Sequence, residues 1–231
     1  MLWLNMLNEA KVFFAPQHSA CGLKIDEFVD KYGEPYSARL EIDLLSKRDE
    51  EIVKWFLASI LYSKPIRESS ATKTYLTFRS RNILTVDKIL ETGWDGLVDI
   101  LDEGGYTRYD FSTATKLLNI FSELKKRYGG SFWKLYNSSK DSTDLERKLK
   151  ALGKGVGDTT VSIFLRDMRL IWEKADPRPT PLVELAMKHL NIRDLKAFAR
   201  EKGLSLVRLE TALLRLAKDF IKKGRMVEVE I

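Results

Sequence analysis

The chain has 231 residues, 44% of them hydrophobic and 31% charged, which is enough for one large domain or two small lobes. Lys and Arg total 39 against 33 Asp and Glu, and the formal net charge of +6 favours a polyanionic partner. The single cysteine, Cys21, excludes an internal disulfide and a cysteine-ligated zinc or iron–sulfur cluster, and the two histidines, His18 and His189, argue against a histidine-rich metal site.

Residues 1–9 read as a short amphipathic helix and lack the basic opening and small-residue cleavage site of a signal peptide. No run approaches eighteen apolar residues, so no membrane span is expected, and the cysteine usage suits an intracellular, cytoplasmic setting. Ile52, Trp55, Phe56, Ser59, Ile60 and Leu61 recur at three- and four-residue steps and predict a helix. A turn follows at Tyr62–Arg67. A break at Gly93–Gly96 precedes a second helical stripe at Leu97, Ile100 and Leu101. Trp55, Trp94 and Trp133 are read as packing residues, and packing is also the commoner role for tyrosines such as Tyr106 and Tyr109 at helix boundaries.

Ala114, Leu117, Leu118, Phe121 and Leu124 form a further stripe, closed by Gly129 and Gly130. An apolar helix end at Leu149–Leu152 then runs into Gly153-Lys154-Gly155-Val156-Gly157-Asp158, and a second apolar helix leaves it. Glycines at 155 and 157 suit a sharp turn with close approach to a partner, and the amides opening the next helix suit an anion such as a nucleic-acid phosphate. Pro177, Pro179 and Pro181 break the helical pattern, with Thr180 placed as an N-cap and Pro181 as the first helical residue of the segment through Leu190. Leu206 to Ile221 reads as a last helix and Met226–Ile231 as a terminal strand. The fold class is all-α, of about ten helices.

Between about residues 50 and 220 this order of parts resembles the helix-hairpin-helix DNA glycosylase superfamily, endonuclease III-like but without an iron–sulfur cluster. Phe56–Lys64 resembles the family's early helix and following loop. Gly104-Gly105-Tyr106 through Lys116 and Leu124–Gly130 resemble its next stretch, and Gly155-Val156-Gly157-Asp158-Thr159-Thr160 aligns with its hairpin. The resemblance implies a two-lobed helical unit over 1–231 with a cleft between lobes. The expected division is a helical lobe at about 50–135 and a hairpin-bearing lobe at about 136–220, with residues 1–49 and the C-terminal tail packing across both.

The implied activity is hydrolytic removal of a damaged or mismatched base from double-stranded DNA. Asp176 would be the catalytic carboxylate that stabilises the charged sugar. Gly155, Val156 and Gly157, with Lys154 and Thr159, would face phosphate. Tyr62, Lys64 and Arg67 would probe the duplex, and no cofactor is implied beyond a monovalent cation at Gly155 and Gly157. Three features depart from the family pattern, the first being that the turn Leu152-Gly153-Lys154-Gly155 is one residue longer than the family's. Thr159 stands where lyase-active members carry a lysine, which favours a monofunctional enzyme over a glycosylase/lyase using Lys154 or another lysine. Aligning the following helix by its apolar register puts Thr180, not Asp176, on the aspartate position, which keeps a non-catalytic DNA-binding reading open. The base removed and the oligomeric state are not legible.

Overall fold

A computed structural model describes residues 22–225 and 227–231, so the helix expected at residues 1–9 lies outside the described residues. The described chain is mostly helical. Its elements are β1 (Leu23–Lys24), α1 (Ile25–Tyr32), α2 (Tyr36–Arg39), α3 (Asp49–Tyr62), α4 (Glu68–Ser80), α5 (Val86–Gly104), α6 (Asp110–Tyr128), α7 (Phe132–Ser138), α8 (Ser142–Lys150), α9 (Asp158–Met168), α10 (Pro181–His189), α11 (Leu195–Glu201), α12 (Leu206–Arg215) and β2 (Val229–Glu230). None of the described helices is long and apolar enough to cross a membrane.

Two hydrophobic clusters hold the chain. The first runs from Tyr36 to Ala175. It centres on α3, apolar on nearly every side, whose Trp55 indole donates to the Phe164 carbonyl of α9 at 3.0 Å. The Asp49 carboxylate, in the first turn of α3, accepts from Ser131 Oγ at 2.6 Å and from the Trp133 amide at 3.1 Å, so it holds the start of α7. The second cluster joins Ile25, Phe28 and Val29 of α1 to Val183, Ala186, Leu209 and Leu213 of α10 and α12.

Leu149, Leu152, Val156, Val161 and Phe164 of the hairpin all belong to the first cluster. The hydrophobic cores therefore divide between Ala175 and Val183, and the hairpin shares the core of the early helices. The physical reason is α9: it packs on α3, so the hairpin cannot form a core apart from the early helices. The N-terminal segment contributes to both clusters: Tyr36, Leu40, Ile42 and Leu44 belong to the first, Ile25, Phe28 and Val29 to the second. Its helix α1 packs on α12, and β1 pairs in parallel with β2 through Leu23–Val229 and Lys24–Glu230. The expected terminal strand shrinks to those two paired residues.

The break expected at Gly93–Gly96 is a kink at Gly93 alone (φ 68°, ψ −177°), after which the helix resumes. α6 stops at Gly129 in the left-handed conformation, as its glycine pair predicts. Tyr106 is buried and donates to the Leu61 carbonyl, a packing role. Trp94 departs from the expected packing role: it is 41% exposed and pairs with exposed Phe111 at 5.4 Å between ring centroids.

Candidate functional site

The hairpin is present as two helices and a tight connection. Asp141 caps α8 by accepting from the Asp144 amide at 2.8 Å, and Arg147, Lys148 and Lys150 fill its last turn, where the helix dipole favours cations. Leu149, Leu152 and Val156 bury their side chains beneath the turn. Val156 is thus an anchor, able to meet a ligand only through its backbone.

The two glycines singled out in the turn differ. Gly155 sits at φ +113°, and a Cβ there would meet Lys116 Cδ at 3.1 Å, so both conformation and the neighbouring α6 require glycine. Gly157 has φ −96° and ψ −174°, an extended conformation open to any residue, and a Cβ there would meet nothing within 4 Å. Glycine at 157 is not needed for the turn; it leaves open space before the first amides of α9.

The Gly155 carbonyl accepts from Thr160 Oγ1 at 3.1 Å and the Gly157 carbonyl from the Val161 amide at 3.0 Å. A monovalent cation at these glycines would share oxygens that already carry one hydrogen bond each. Among the described residues no group of three or more His, Cys, Asp or Glu side chains gathers in one place.

A cavity of about 1100 Å³ lies beside the hairpin. One wall is the face of α9 carrying Thr159, Ser162, Ile163 and Arg166, at helical spacing. The segment Arg178–Leu182 and Leu214 of α12 also line it, so residues of both hydrophobic clusters border the space. Asp176 lines it too, yet its side chain is 41% exposed and pairs with Lys196 Nζ at 2.6 Å and Arg169 Nη2 at 3.9 Å. The expected catalytic carboxylate is thus solvated and ion-paired. Thr180 caps α10 by accepting from the Val183 amide at 3.5 Å, with Pro181 following, and it lines the same cavity.

The residues expected to probe a duplex separate. Tyr62 lines the cavity as part of its wall: its hydroxyl shares a 2.6 Å hydrogen bond with Thr72 Oγ1 and its ring meets Tyr36 edge-on at 5.5 Å. Those contacts hold it back from entering a base stack. Lys64, Arg67 and Lys154 do not line the cavity. Burial lowers the Lys64 pKa, and the charge of Lys116 pushes the same way, which puts Lys64 close to the α6 flank of the hairpin. Lys150 pairs with Asp158 at 2.5 Å, and that ammonium holds the Asp158 carboxyl below its ordinary range.

Four charged or polar residues that carry no local signal complete the floor of the cavity. Glu68 opens α4. Its Oε2 accepts from the Tyr36 hydroxyl at 2.9 Å and from Lys218 Nζ, while Arg39 and Arg215 approach Oε1 only to 3.7 and 3.9 Å. Lys218 lies where α12 widens into a π-helical turn over Leu216–Phe220, a distortion common at functional sites. The Arg166 side chain is 3% exposed; its Nε donates to Asp167 Oδ1 at 2.9 Å, and Asp167 Oδ2 accepts from the Ser37 amide at 2.9 Å. The guanidinium carbons of Arg166 and Arg215 lie 5.1 and 4.7 Å from the Tyr36 ring centroid. Burial pushes the Tyr36 hydroxyl up to about 12, so it stays a donor at neutral pH.

The floor is thus a mixed-charge network, bordered by a hairpin whose first α9 amides are open. Comparison of the chain with family models, with curated proteins and with solved structures finds no match.

Proposed function

We propose that this chain binds double-stranded DNA through the α8–α9 hairpin and removes a damaged or mismatched base by cleaving its N-glycosidic bond. The observation that carries the reading is the placement of the cavity. It runs along α9 from Thr159, beside the open amides, to Arg166 on the floor, and it has carboxylates at Asp176 and Glu68. A phosphate held at the α9 N-terminus would leave an everted nucleotide within reach of that space. Its volume suits a small-molecule site.

Departure of the base leaves positive charge on the sugar, and a carboxylate stabilises that charge or orients the attacking water. Asp176 is the residue assigned to that role, with Lys196 and Arg169 fixing its position. Thr159 offers no amine, which supports hydrolysis over a lyase step at the hairpin. No resident cofactor takes part in this scheme. The two-lobed glycosylase architecture remains part of the same proposal.

Incubation with duplexes bearing uracil, hypoxanthine, oxidised guanine, alkylated adenine and simple mismatches tests it. The expected result is release of at least one base, reduced about a hundredfold or more by Asp176→Asn. Full activity in that variant removes Asp176 from the mechanism. Tight binding with no release on any duplex favours a second reading, a non-catalytic DNA-binding protein, which the ion pairing of Asp176 and the threonine at the α10 cap also support.

A further inference from the structure

Two charged side chains that border the cavity, Arg166 and Glu68, keep hydrogen-bonding capacity and both contact Tyr36. Arg166 is buried and borders the cavity, and its Nε is spent on Asp167. Among the described residues its terminal nitrogens, with four N–H groups, make no hydrogen bond. Glu68 Oε2 is spent on Tyr36 and Lys218; Oε1 has Arg39 and Arg215 at 3.7 and 3.9 Å but accepts no hydrogen bond among the described residues. Both side chains are fixed by the same ring: Tyr36 donates its hydroxyl to Glu68 and lies 5.1 Å from the Arg166 guanidinium. The Arg166 terminal nitrogens border the cavity, where water or a ligand can satisfy them.

We propose that Arg166 and Glu68 together read the lactam edge of an everted base, so that the cavity takes uracil, hypoxanthine and related keto bases in preference to cytosine, adenine and alkylated adenine. The inference rests on the DNA-glycosylase reading and names its substrate class. A lactam presents a carbonyl acceptor next to an N–H donor. Arg166 supplies only donors and Glu68 Oε1 only acceptance, which matches that order. Cytosine and adenine present an amino donor next to a ring-nitrogen acceptor, the reverse order. Because the sugar is tethered at the hairpin, the base enters one way round and cannot turn over to correct the mismatch. Conversion of an amino base to a keto base is the change wrought by hydrolytic deamination, so the reaction supplying this substrate is deamination in DNA. Thymine and guanine share the lactam edge, and their cost of unpairing from a matched partner keeps them out.

The test is binding of the full chain to four short duplexes that differ only in one base, each set opposite the same stable abasic spacer so that unpairing is matched. Uracil and hypoxanthine are expected to bind at least about tenfold more tightly than cytosine and adenine, the discrimination of one good two-point contact. Glu68→Gln, which replaces a pure acceptor with an amide, and Arg166→Lys, which loses the planar fork, are each expected to shrink that ratio to about threefold or less while a thermal melt reports a folded chain. Equal binding of all four duplexes by the unsubstituted chain overturns the inference and leaves the DNA reading standing. So does a lactam preference that survives both folded variants. Failure to bind any duplex overturns the DNA reading itself, and the inference with it.

Discussion

The two ends of the cavity are built by different rules. At the hairpin end, most contacts come from neighbours in sequence: Asp141 caps its own helix, Lys150 meets Asp158 across the turn, and Gly155 is required by its own φ, with Lys116 of α6 the one distant neighbour among these. At the floor, the partners come from afar. Lys218 meets Glu68 over 150 residues of chain, and Asp167 meets Ser37 over 130. The hairpin end is exposed and adaptable. The floor is pre-set around buried Tyr36 and Arg166, with Glu68 and Lys218 half-buried, as a group that selects among similar ligands needs to be.

The sharpest way to break this contrast is Asp167→Asn. It keeps the shape but leaves the buried Arg166 charge without its counter-ion, and the loss should be about 3–5 kcal/mol in denaturant unfolding. A loss near zero would mean the floor is not pre-set. Next come the two turn glycines. Gly155→Ala should cost about 1–3 kcal/mol through its positive φ and the 3.1 Å approach to Lys116, whereas Gly157→Ala should stay within about 0.5 kcal/mol. Equal losses would refute the distinction drawn between them.

At the exposed end, effects belong to binding, not folding. Lys154→Ala should lower the salt dependence of DNA binding by about one unit of slope without changing which base is preferred. A changed base preference would move Lys154 into the pocket. The smallest effect concerns acid. Asp144, in the first turn of α8, is held at about 2 by the Lys140 amide and the Arg147 side chain, against an ordinary 3.8. Its folded-state value is depressed, so its stabilising contribution is present above 3.8 and is lost as pH falls towards 2. A carboxyl-resolved NMR titration that found Asp144 near 3.8 would remove this local account of the helix start.

The same division explains what could be read in the sequence. Thr180–Pro181 and Gly129 mark helix ends by chemistry confined to a few residues, and both ends stand where they were expected. The hairpin was legible for the same reason. Glu68 was not, because a glutamate in the first turn of a helix is ordinary, and nothing local says that Tyr36 and Lys218 will close around it. Arg166 reads as one more polar residue on an amphipathic helix until α2 packs over it. The sharing of one core by the hairpin and the early helices was hidden likewise: the stripe of α9 shows that it buries a face but not that the face meets α3. Asp176 lines the cavity, but its exposure and ion pairing depend on where Lys196 of a later helix falls.

The meeting of β1 with β2 orders events during synthesis. A ribosome that has released the chain through Ala175 has delivered the whole first cluster, so that core can condense while translation continues. The second cluster has its opening helix early but must wait for Ala217. Leu214 and Lys218 arrive last of all the residues around the cavity. A nascent chain can therefore present the hairpin before it owns a pocket, and selection among ligands begins only once the final helix has docked.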